Sequence, residues 1–369
     1  MPKAISTWTI RPHSVYKLAM NAPPLPLCAL AWTPDLAAAL AEASAAVARL
    51  DARICASSLA PAWRLRASWA GYAAALRLQA FAVDEIDIIA HACGLQLAGR
   101  PRLETAADPF AALAPWQAGF SEKQGRHWRE DLSFSFDPPQ GWTEAPALVR
   151  ALTLLDAWVR SDKTIAPWLA FPVVLARMGL TTRPLPCLVL GDPGQRFAIG
   201  PRPALLKRLL KQLRRAAEDG LIRLDRLEDH ARRTAAAIAR ERRPGLLADL
   251  GRLTLAQPCL AARTLAPLLG LTISGAGKLL ERATRLGLLV ETSGRATWRS
   301  YLARDVALTL GLIAPPLGRP AIPAPPSPAL APVLAAFDAE MAALDARLAR
   351  LGVSSVGQNS EDTDLSREN

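Results

Sequence analysis

Basic and small polar side chains recur between Thr272 and Arg299, and their chemistry suits contact with phosphates and base edges. Arginine and lysine bind phosphate oxygens and so position a protein on a duplex without reading its sequence. Serine and lysine can also form hydrogen bonds with base edges in the major groove. Lys and Arg outnumber Asp and Glu by 8 to 3 between Pro244 and Arg304, which favours an anionic partner. The predicted contact residues are Thr272, Ser274, Gly275, Lys278, Arg282, Arg285, Arg295 and Arg299.

Two helices joined by a tight turn are predicted to position these residues. The first helix ends at Gly270, since glycine adopts the positive φ that such a turn requires. Thr272 is expected to cap the second helix by accepting hydrogen bonds from its free N–H groups. One face of the second helix is apolar and must pack inward, which leaves the polar face free to enter a major groove. The apolar positions are Ala276, Leu279, Leu280, Ala283 and Leu286.

Two short strands are predicted after Gly287. Residues 288–292 and 296–301 flank the turn 293–295, a pattern typical of a β-hairpin. With the two helices, this order predicts a winged helix-turn-helix in which Arg295 and Arg299 lie near phosphates, and double-stranded DNA is the expected partner. Two alternatives stay open: a packed helical bundle without nucleic-acid contact, and a winged helix that acts as a protein–protein interaction module.

Length and composition indicate a folded protein. The chain has 369 residues, of which 51% are hydrophobic, enough for two or three domains. A net charge of +11 and a pI near 10.0 favour DNA, RNA or an acidic membrane surface without choosing among them. We see no signal peptide, and the apolar stretch 165–175 is too short to cross a bilayer. A cytoplasmic protein with no membrane partner is therefore expected.

Cysteines and histidines give no sign of a metal centre. His91 and Cys93 are two residues apart, but a zinc site needs about four converging ligands. Phosphate-loop, nucleophile-elbow and zinc-hydrolase motifs are absent from the sequence. We predict no metal, no cofactor and no catalytic residue. Reduced thiols are expected for the five scattered cysteines, Cys28, Cys55, Cys93, Cys187 and Cys259.

The predicted elements divide the chain into seven segments. Residues 204–245 are predicted as one long helix or as two helices broken near Gly220. Near the C-terminus, residues 333–352 have coiled-coil spacing and could join two copies as a homodimer or pack back on the body. The predicted segments are an N-terminal segment 1–32, a helical layer 33–94, a helical body 95–243, the winged helix 244–313, a proline-rich linker 314–332, an amphipathic helix 333–352 and a disordered tail 353–369.

Taken in order, the segments from Pro34 to Tyr301 resemble the Fic proteins, which are bacterial nucleotidyl transferases with an all-α core and often a C-terminal winged helix. In that family a catalytic loop HPFxxGNGR precedes an apolar helix of the type RLLIPLLLYERG. Here LAFPVVLARMG, from Leu169 to Gly179, looks like that helix, and Thr181 to Leu190 looks like the segment after it. The resemblance implies a mainly α fold with a multi-helix Fic-like body and a C-terminal winged helix-turn-helix.

The catalytic loop of the Fic proteins has no counterpart in this sequence. Counting back from the apolar helix, the catalytic histidine falls on Ala157 and the metal-site acid on Ser161. The residues that hold phosphates fall on Asp162, Thr164 and Ile165. Nucleotidyl transfer needs a base and an anion cradle, so the resemblance implies a body without that activity.

The chain looks still closer to an uncharacterised bacterial family of degenerate Fic-like proteins that end in a helix-turn-helix domain. This resemblance implies only the architecture. From the winged helix and its expected contact with double-stranded DNA, we expect a transcriptional regulator. The alternative is a residual nucleotidyl transferase, or a nucleotide-binding protein, with an atypical pocket.

Overall fold

The computed structural model describes residues 24–95, 108–120, 127–197, 202–293 and 299–314, with isolated positions between 332 and 350. The described residues up to Ile313 belong to one compact unit, and Ala314–Asn369 form a second. The first unit is mainly α-helical, as predicted, and contains a small antiparallel sheet. The predicted boundaries inside it stay predictions.

The described part of the first unit has the following elements. Its helices are α1 (Pro34–Ala56), α2 (Ala60–Leu78), α3 (Glu85–Ala92), α4 (Leu113–Gly119), α5 (Ala147–Ser161), α6 (Ala166–Arg177), α7 (Arg202–Arg240), α8 (Leu247–Ala256), α9 (Ala262–Leu268), α10 (Ile273–Arg285) and α11 (Arg304–Thr309). Its strands are β1 (Cys259–Ala261), β2 (Leu289–Glu291) and β3 (Ser300–Ala303). Short 3-10 helices lie at Leu27–Ala29, Trp128–Asp131 and Pro193–Phe197.

Helix α1 begins at Pro34 and packs against α7. The Thr33 hydroxyl accepts a hydrogen bond from the Leu36 amide at 3.3 Å, and Pro34 occupies the first helical position, where its missing N–H costs nothing. The buried stripe of α1 includes Leu36, Val47 and Leu50. Threonine cap, proline and apolar spacing therefore all specify the same helix.

Helix α7 is continuous over 39 residues, which excludes the predicted alternative of a break near Gly220. Gly220 lies where α1 approaches α7, and a Cβ there would come within 3.0 Å of the side chains of Leu50 and Cys187. The indole of Trp63 donates a hydrogen bond to the Gly220 carbonyl oxygen at 2.9 Å. The glycine thus permits close packing without ending the helix.

Ion pairs join α1 to the basic face of α7. Lys207 lies 2.6 Å from a carboxylate oxygen of Asp35, and Arg214 lies 2.7 Å from one of Glu42. Part of the charge on the basic face of α7 is therefore balanced by the neighbouring helix.

The centre of the unit is formed by α2, α5 and α6, where α5 packs on α6 and α2 contacts α6 and α7. Trp63, Trp168 and Phe171 are fully buried there. Helices α5 and α6 are separated by only four residues, 162–165.

The described parts of segment 95–142 contain short helices and packed aromatic rings. Trp116 and Phe120 have ring centroids 4.8 Å apart, and those of Phe136 and Trp142 are 5.1 Å apart. These rings therefore pack against one another. Residues 96–107 and 121–126 lie outside the described residues.

The five cysteines are free thiols, as predicted. Burial raises the pKa of Cys187 and of Cys259 to about 12, because a thiolate loses its hydration there. Over the described ranges, we find no group of three or more His, Cys, Asp or Glu side chains placed to hold a metal ion. The helices in those ranges include none with the length and apolarity needed to span a membrane.

Candidate nucleic-acid interface

The C-terminal part of the first unit follows the order α8, β1, α9, α10, β2, β3 and α11. The three strands form an antiparallel sheet with β3 between β1 and β2. Leu260 of β1 pairs with Tyr301, and Val290 of β2 pairs with Leu302. Strand β1 was not predicted, because three residues after Pro258 are too short a run to show strand periodicity.

The turn between α9 and α10 has the predicted construction. Gly270 has a φ of +64°, a conformation that favours glycine. The Leu271 amide donates a hydrogen bond to the Ala266 carbonyl at 2.8 Å, and the Leu271 side chain packs against the core. The Thr272 hydroxyl accepts a hydrogen bond from the Gly275 amide at 3.1 Å, so the predicted cap is confirmed.

Helix α10 packs inward with its apolar face. Ala276, Leu280 and Ala283 are completely buried, and Leu279 and Leu286 are half-buried, which confirms the predicted stripe. On the rest of the helix Ser274, Lys278 and Arg285 are exposed, and Gly275 is half-buried. The polar face of α10 is thus accessible within the first unit.

Two cations on this face have unengaged charges. The side chains of Lys278 and Arg285 form no ion pair or hydrogen bond with any residue that the structure describes. An unpaired cation can bind a phosphate without first giving up a partner, and each such contact releases counterions from DNA. These two side chains are therefore the strongest candidates on α10 for contact with DNA.

Arg282 and Arg299, by contrast, already face carboxylates. Arg282 donates to Glu241 and, at 2.8 Å, to the carbonyl oxygen of Arg243. Arg299 lies 3.1 Å from a carboxylate oxygen of Glu281 and 3.7 Å from one of Glu291. Their predicted phosphate contacts stay predictions, but either contact would compete with an existing pair.

The predicted hairpin is present in its described parts, with a later second strand than expected. The strand predicted at 296–301 begins only at Ser300 and continues to Ala303. The Thr292 amide extends the pairing by donating to the Ser300 carbonyl at 2.9 Å. Residues 294–298, which include the predicted contact Arg295, lie outside the described residues.

Sequence reasoning missed two arginines beside α10. Arg242 and Arg243 lie between α7 and α8 and are exposed, and Arg282 holds their segment against α10 through the bonds to Glu241 and to the Arg243 carbonyl. The run RERR at 240–243 is visible in the sequence. Its proximity to α10 is not, because the contact joins residues 41 positions apart.

A buried polar cluster connects α2 and α7 to the segment that contains α10. Arg66 of α2 pairs with Asp305 at the start of α11. The Arg66 guanidinium also donates to the carbonyl oxygens of Thr254 and Leu255 at 2.6 and 3.0 Å. Because Arg66 and Asp305 are only 9% and 6% exposed, this pair is screened from water and fixes α11 to the body.

His230 of α7 belongs to the same cluster. Its Nε2 lies 3.3 Å from the Thr254 hydroxyl, and its Nδ1 lies 3.6 Å from Asp305. Burial lowers the pKa of His230, and this effect exceeds the opposing attraction of Asp305. The imidazole is thus held neutral among groups that link the body to α8 and α11.

The segment onto which the Fic catalytic loop would fall forms the end of α5 and a short connection. Asp162 accepts a hydrogen bond from the Thr164 amide at 2.8 Å. The Lys163 carbonyl accepts one from the Gln79 side chain at 2.9 Å. The first contact shapes the connection between α5 and α6, and the second attaches it to the end of α2.

Comparison with known proteins does not assign a function to this part of the molecule. The sequence matches no family model and no curated protein. The functional interpretation therefore depends on the arrangement of α10, its neighbouring cations and the hairpin.

Proposed function

We propose that residues 244–313 form a winged helix-turn-helix that binds double-stranded DNA, and that the protein is a transcriptional regulator. The observation that supports this proposal most directly is the polar face of α10, a capped helix that follows a tight turn. Ser274, Lys278 and Arg285 are exposed on it. The pair β2–β3 follows in the position of a wing, and β1 precedes α9, an order compatible with helix-turn-helix docking.

In the proposed complex, α10 enters the major groove. Ser274 and Lys278 meet base edges, Arg285 meets a phosphate, and the N-terminus of α10 with its Thr272 cap faces the backbone. Arg299 joins the phosphate contacts by exchanging a carboxylate for a phosphate, which costs little because the side chain is 40% exposed.

A single α10 offers few side chains to bases, so specific recognition requires two copies on adjacent half-sites. We therefore propose a homodimer joined through residues 333–352. The apolar positions of segment 333–352 lie outside the described residues; they are Leu334, Phe337, Met341, Leu344, Leu348 and Leu351.

The body is proposed to be Fic-like and without nucleotidyl transferase activity, in a cytoplasmic bacterial protein. Alanine and serine stand where the family's base and metal-site acid are required, at Ala157 and Ser161. Alanine has no group that could act as a general base, and the neutral serine hydroxyl lacks the negative charge of the carboxylate that it replaces as a magnesium ligand.

Binding of a fluorescein-labelled random-sequence duplex, followed by anisotropy over a range of KCl concentrations, tests the proposal. Lys278→Ala/Arg285→Ala is expected to weaken binding and to flatten the slope of log K against log salt by about 0.9 for each phosphate contact that the variant removes. Arg49→Ala/Lys211→Ala removes two exposed cations from α1 and α7 and is the matched control, expected to retain the wild-type slope. Absence of wild-type binding at low salt, or equal slopes for the two variants, contradicts DNA binding by α10.

A second candidate is a protein–protein interaction module. Leu268 and Ile273, on either side of the turn, are 51% and 59% exposed, and exposed apolar side chains favour a protein partner. For that function, no duplex binding is expected in the same titration.

A further inference from the structure

We infer that Arg242 and Arg243 form a second phosphate-binding element beside α10, and that Arg282 positions this element without itself binding DNA. The inference rests on the proposed function, because it assigns contacts within the same DNA interface. Arg282, a predicted contact residue, is thereby replaced as a phosphate ligand by Arg242 and Arg243, which the sequence did not indicate.

The geometry that supports the inference is the attachment of segment 241–243 to α10. The Nη2 atom of Arg282 donates both to the Glu241 carboxylate and to the Arg243 carbonyl oxygen, the latter at 2.8 Å. A guanidinium that bonds a main-chain oxygen is in direct contact with the backbone, so the segment cannot move away from α10 without breaking two bonds. Arg282 therefore acts as a clamp.

Both ends of the segment are also fixed. Helix α7 ends at Arg240 and α8 begins at Leu247, and Gly245, with a φ of +53°, turns the chain between them. A short connection held at its ends and its middle loses little conformational freedom when it binds.

The pairing of their charges distinguishes the two arginines of the segment, which are proposed to bind phosphate, from Arg282, which is proposed to position them. Arg242 and Arg243 are exposed and form no side-chain ion pair or hydrogen bond within the part of the chain that the structure describes. The charge of Arg282 is balanced by Glu241, and its side chain is only 32% exposed. The planar guanidinium groups of Arg242 and Arg243 are thus available for phosphate oxygens, whereas that of Arg282 is occupied.

The test compares three variants with the same labelled random-sequence duplex over a range of KCl concentrations. Arg242→Ala/Arg243→Ala is expected to reduce the magnitude of the salt slope by about 1.8, or about 0.9 for each phosphate that no longer meets a cation. Arg282→Ala is expected to weaken binding. The triple variant is expected to have the same slope as the double variant, since Arg282 acts only through the segment that the double variant has already disabled.

The outcomes separate the claims. A wild-type slope for Arg242→Ala/Arg243→Ala overturns the second binding element, while the proposed function stands if wild-type protein binds the duplex. A triple variant flatter than the double by about 0.9 shows that Arg282 contacts a phosphate itself and overturns its positioning role, as does wild-type affinity of Arg282→Ala. Failure of wild-type protein to bind the duplex at low salt removes the proposed function and this inference together.

Thermal unfolding of each variant shows whether the fold is retained. Arg242 and Arg243 are exposed, so the double variant is expected to unfold at the wild-type temperature. If Arg282→Ala alone unfolds earlier, the double variant still decides whether the segment binds phosphate.

Discussion

Replacement of Asp305 by alanine is expected to lower the free energy of unfolding by about 3 kcal/mol, the lower end of the cost of breaking a buried ion pair on one side. The change leaves the Arg66 guanidinium, 9% exposed, without a carboxylate. Arg66 keeps two acceptors, the carbonyl oxygens of Thr254 and Leu255 at 2.6 and 3.0 Å. These bonds satisfy N–H groups but do not neutralise the charge, which is why we expect the lower end of the range and not zero.

Urea unfolding followed by circular dichroism measures this loss. Asp225→Ala is the matched control, since it removes a carboxylate from Arg53 in a pair whose side chains are 63% and 45% exposed. Exposed pairs of this kind contribute at most about 1 kcal/mol. If Asp305→Ala is no more destabilising than Asp225→Ala, the reasoning from burial is refuted.

The double replacement Arg66→Met/Asp305→Leu separates charge from packing. With both charges removed, no buried ion is left unpaired, and most of the stability is expected to return. A double variant as unstable as Asp305→Ala would instead attribute the loss to altered packing of α11.

Three further predictions concern α7 and α10. Burial lowers the pKa of His230 from its usual 6.5, so below about pH 6.5 the unfolded chain binds a proton that the folded chain refuses. The free energy of unfolding is therefore expected to decrease as the pH is lowered through that range. His230→Gln should remove this part of the pH dependence in urea unfolding. Thr272→Ala should cost about 1 kcal/mol by removing the cap of α10, whereas Thr272→Ser should cost much less in the same assay. Ile273, 59% exposed at the first position of α10, is expected to contact thymine methyl groups. Duplex in which deoxyuridine replaces thymidine should bind wild-type protein about fourfold more weakly for each contacted methyl, equivalent to about 0.8 kcal/mol. Ile273→Ala should bind the two duplexes equally well.

The turn and cap before α10 were predictable because each depends on one residue in one conformation. Gly270 tolerates a φ of +64° where a side chain would be strained, and Thr272 reaches an amide three residues ahead. The same local chemistry starts α1, where Thr33 caps the helix and Pro34 occupies its first position. Local chemistry of this kind is present in the sequence before any tertiary contact forms.

Gly220 shows where local reasoning ends. A glycine within a helical pattern lowers helix propensity, and from the sequence alone it is compatible with a break or with a close approach of another element. The deciding fact is the position of Leu50 and Cys187, which belong to distant parts of the chain.

Which basic side chains are paired with carboxylates and which are unpaired could also not be predicted from the sequence. Arg282 and Lys278 are equally basic in the sequence, yet Arg282 has a partner 41 positions away and Lys278 has none among the described residues. Helical spacing places both on the polar side of α10. It does not place Glu241 beside one of them.

This division, more than the net charge of +11, indicates where an anionic polymer would bind. A cation beside a carboxylate, such as Lys207 at 2.6 Å from Asp35, forms a pair whose field falls off over a short distance. An unpaired cation attracts phosphates over a screening length of about 8 Å at physiological salt. Arg282 links segment 241–243 to α10. The unpaired charges of Arg242 and Arg243 can therefore act together with those of Lys278 and Arg285, whereas any one of these side chains alone would bind a phosphate only weakly. In the proposed interface, the pairing of Arg282 with Glu241 therefore removes one cation and holds two others beside α10, a net gain for phosphate binding.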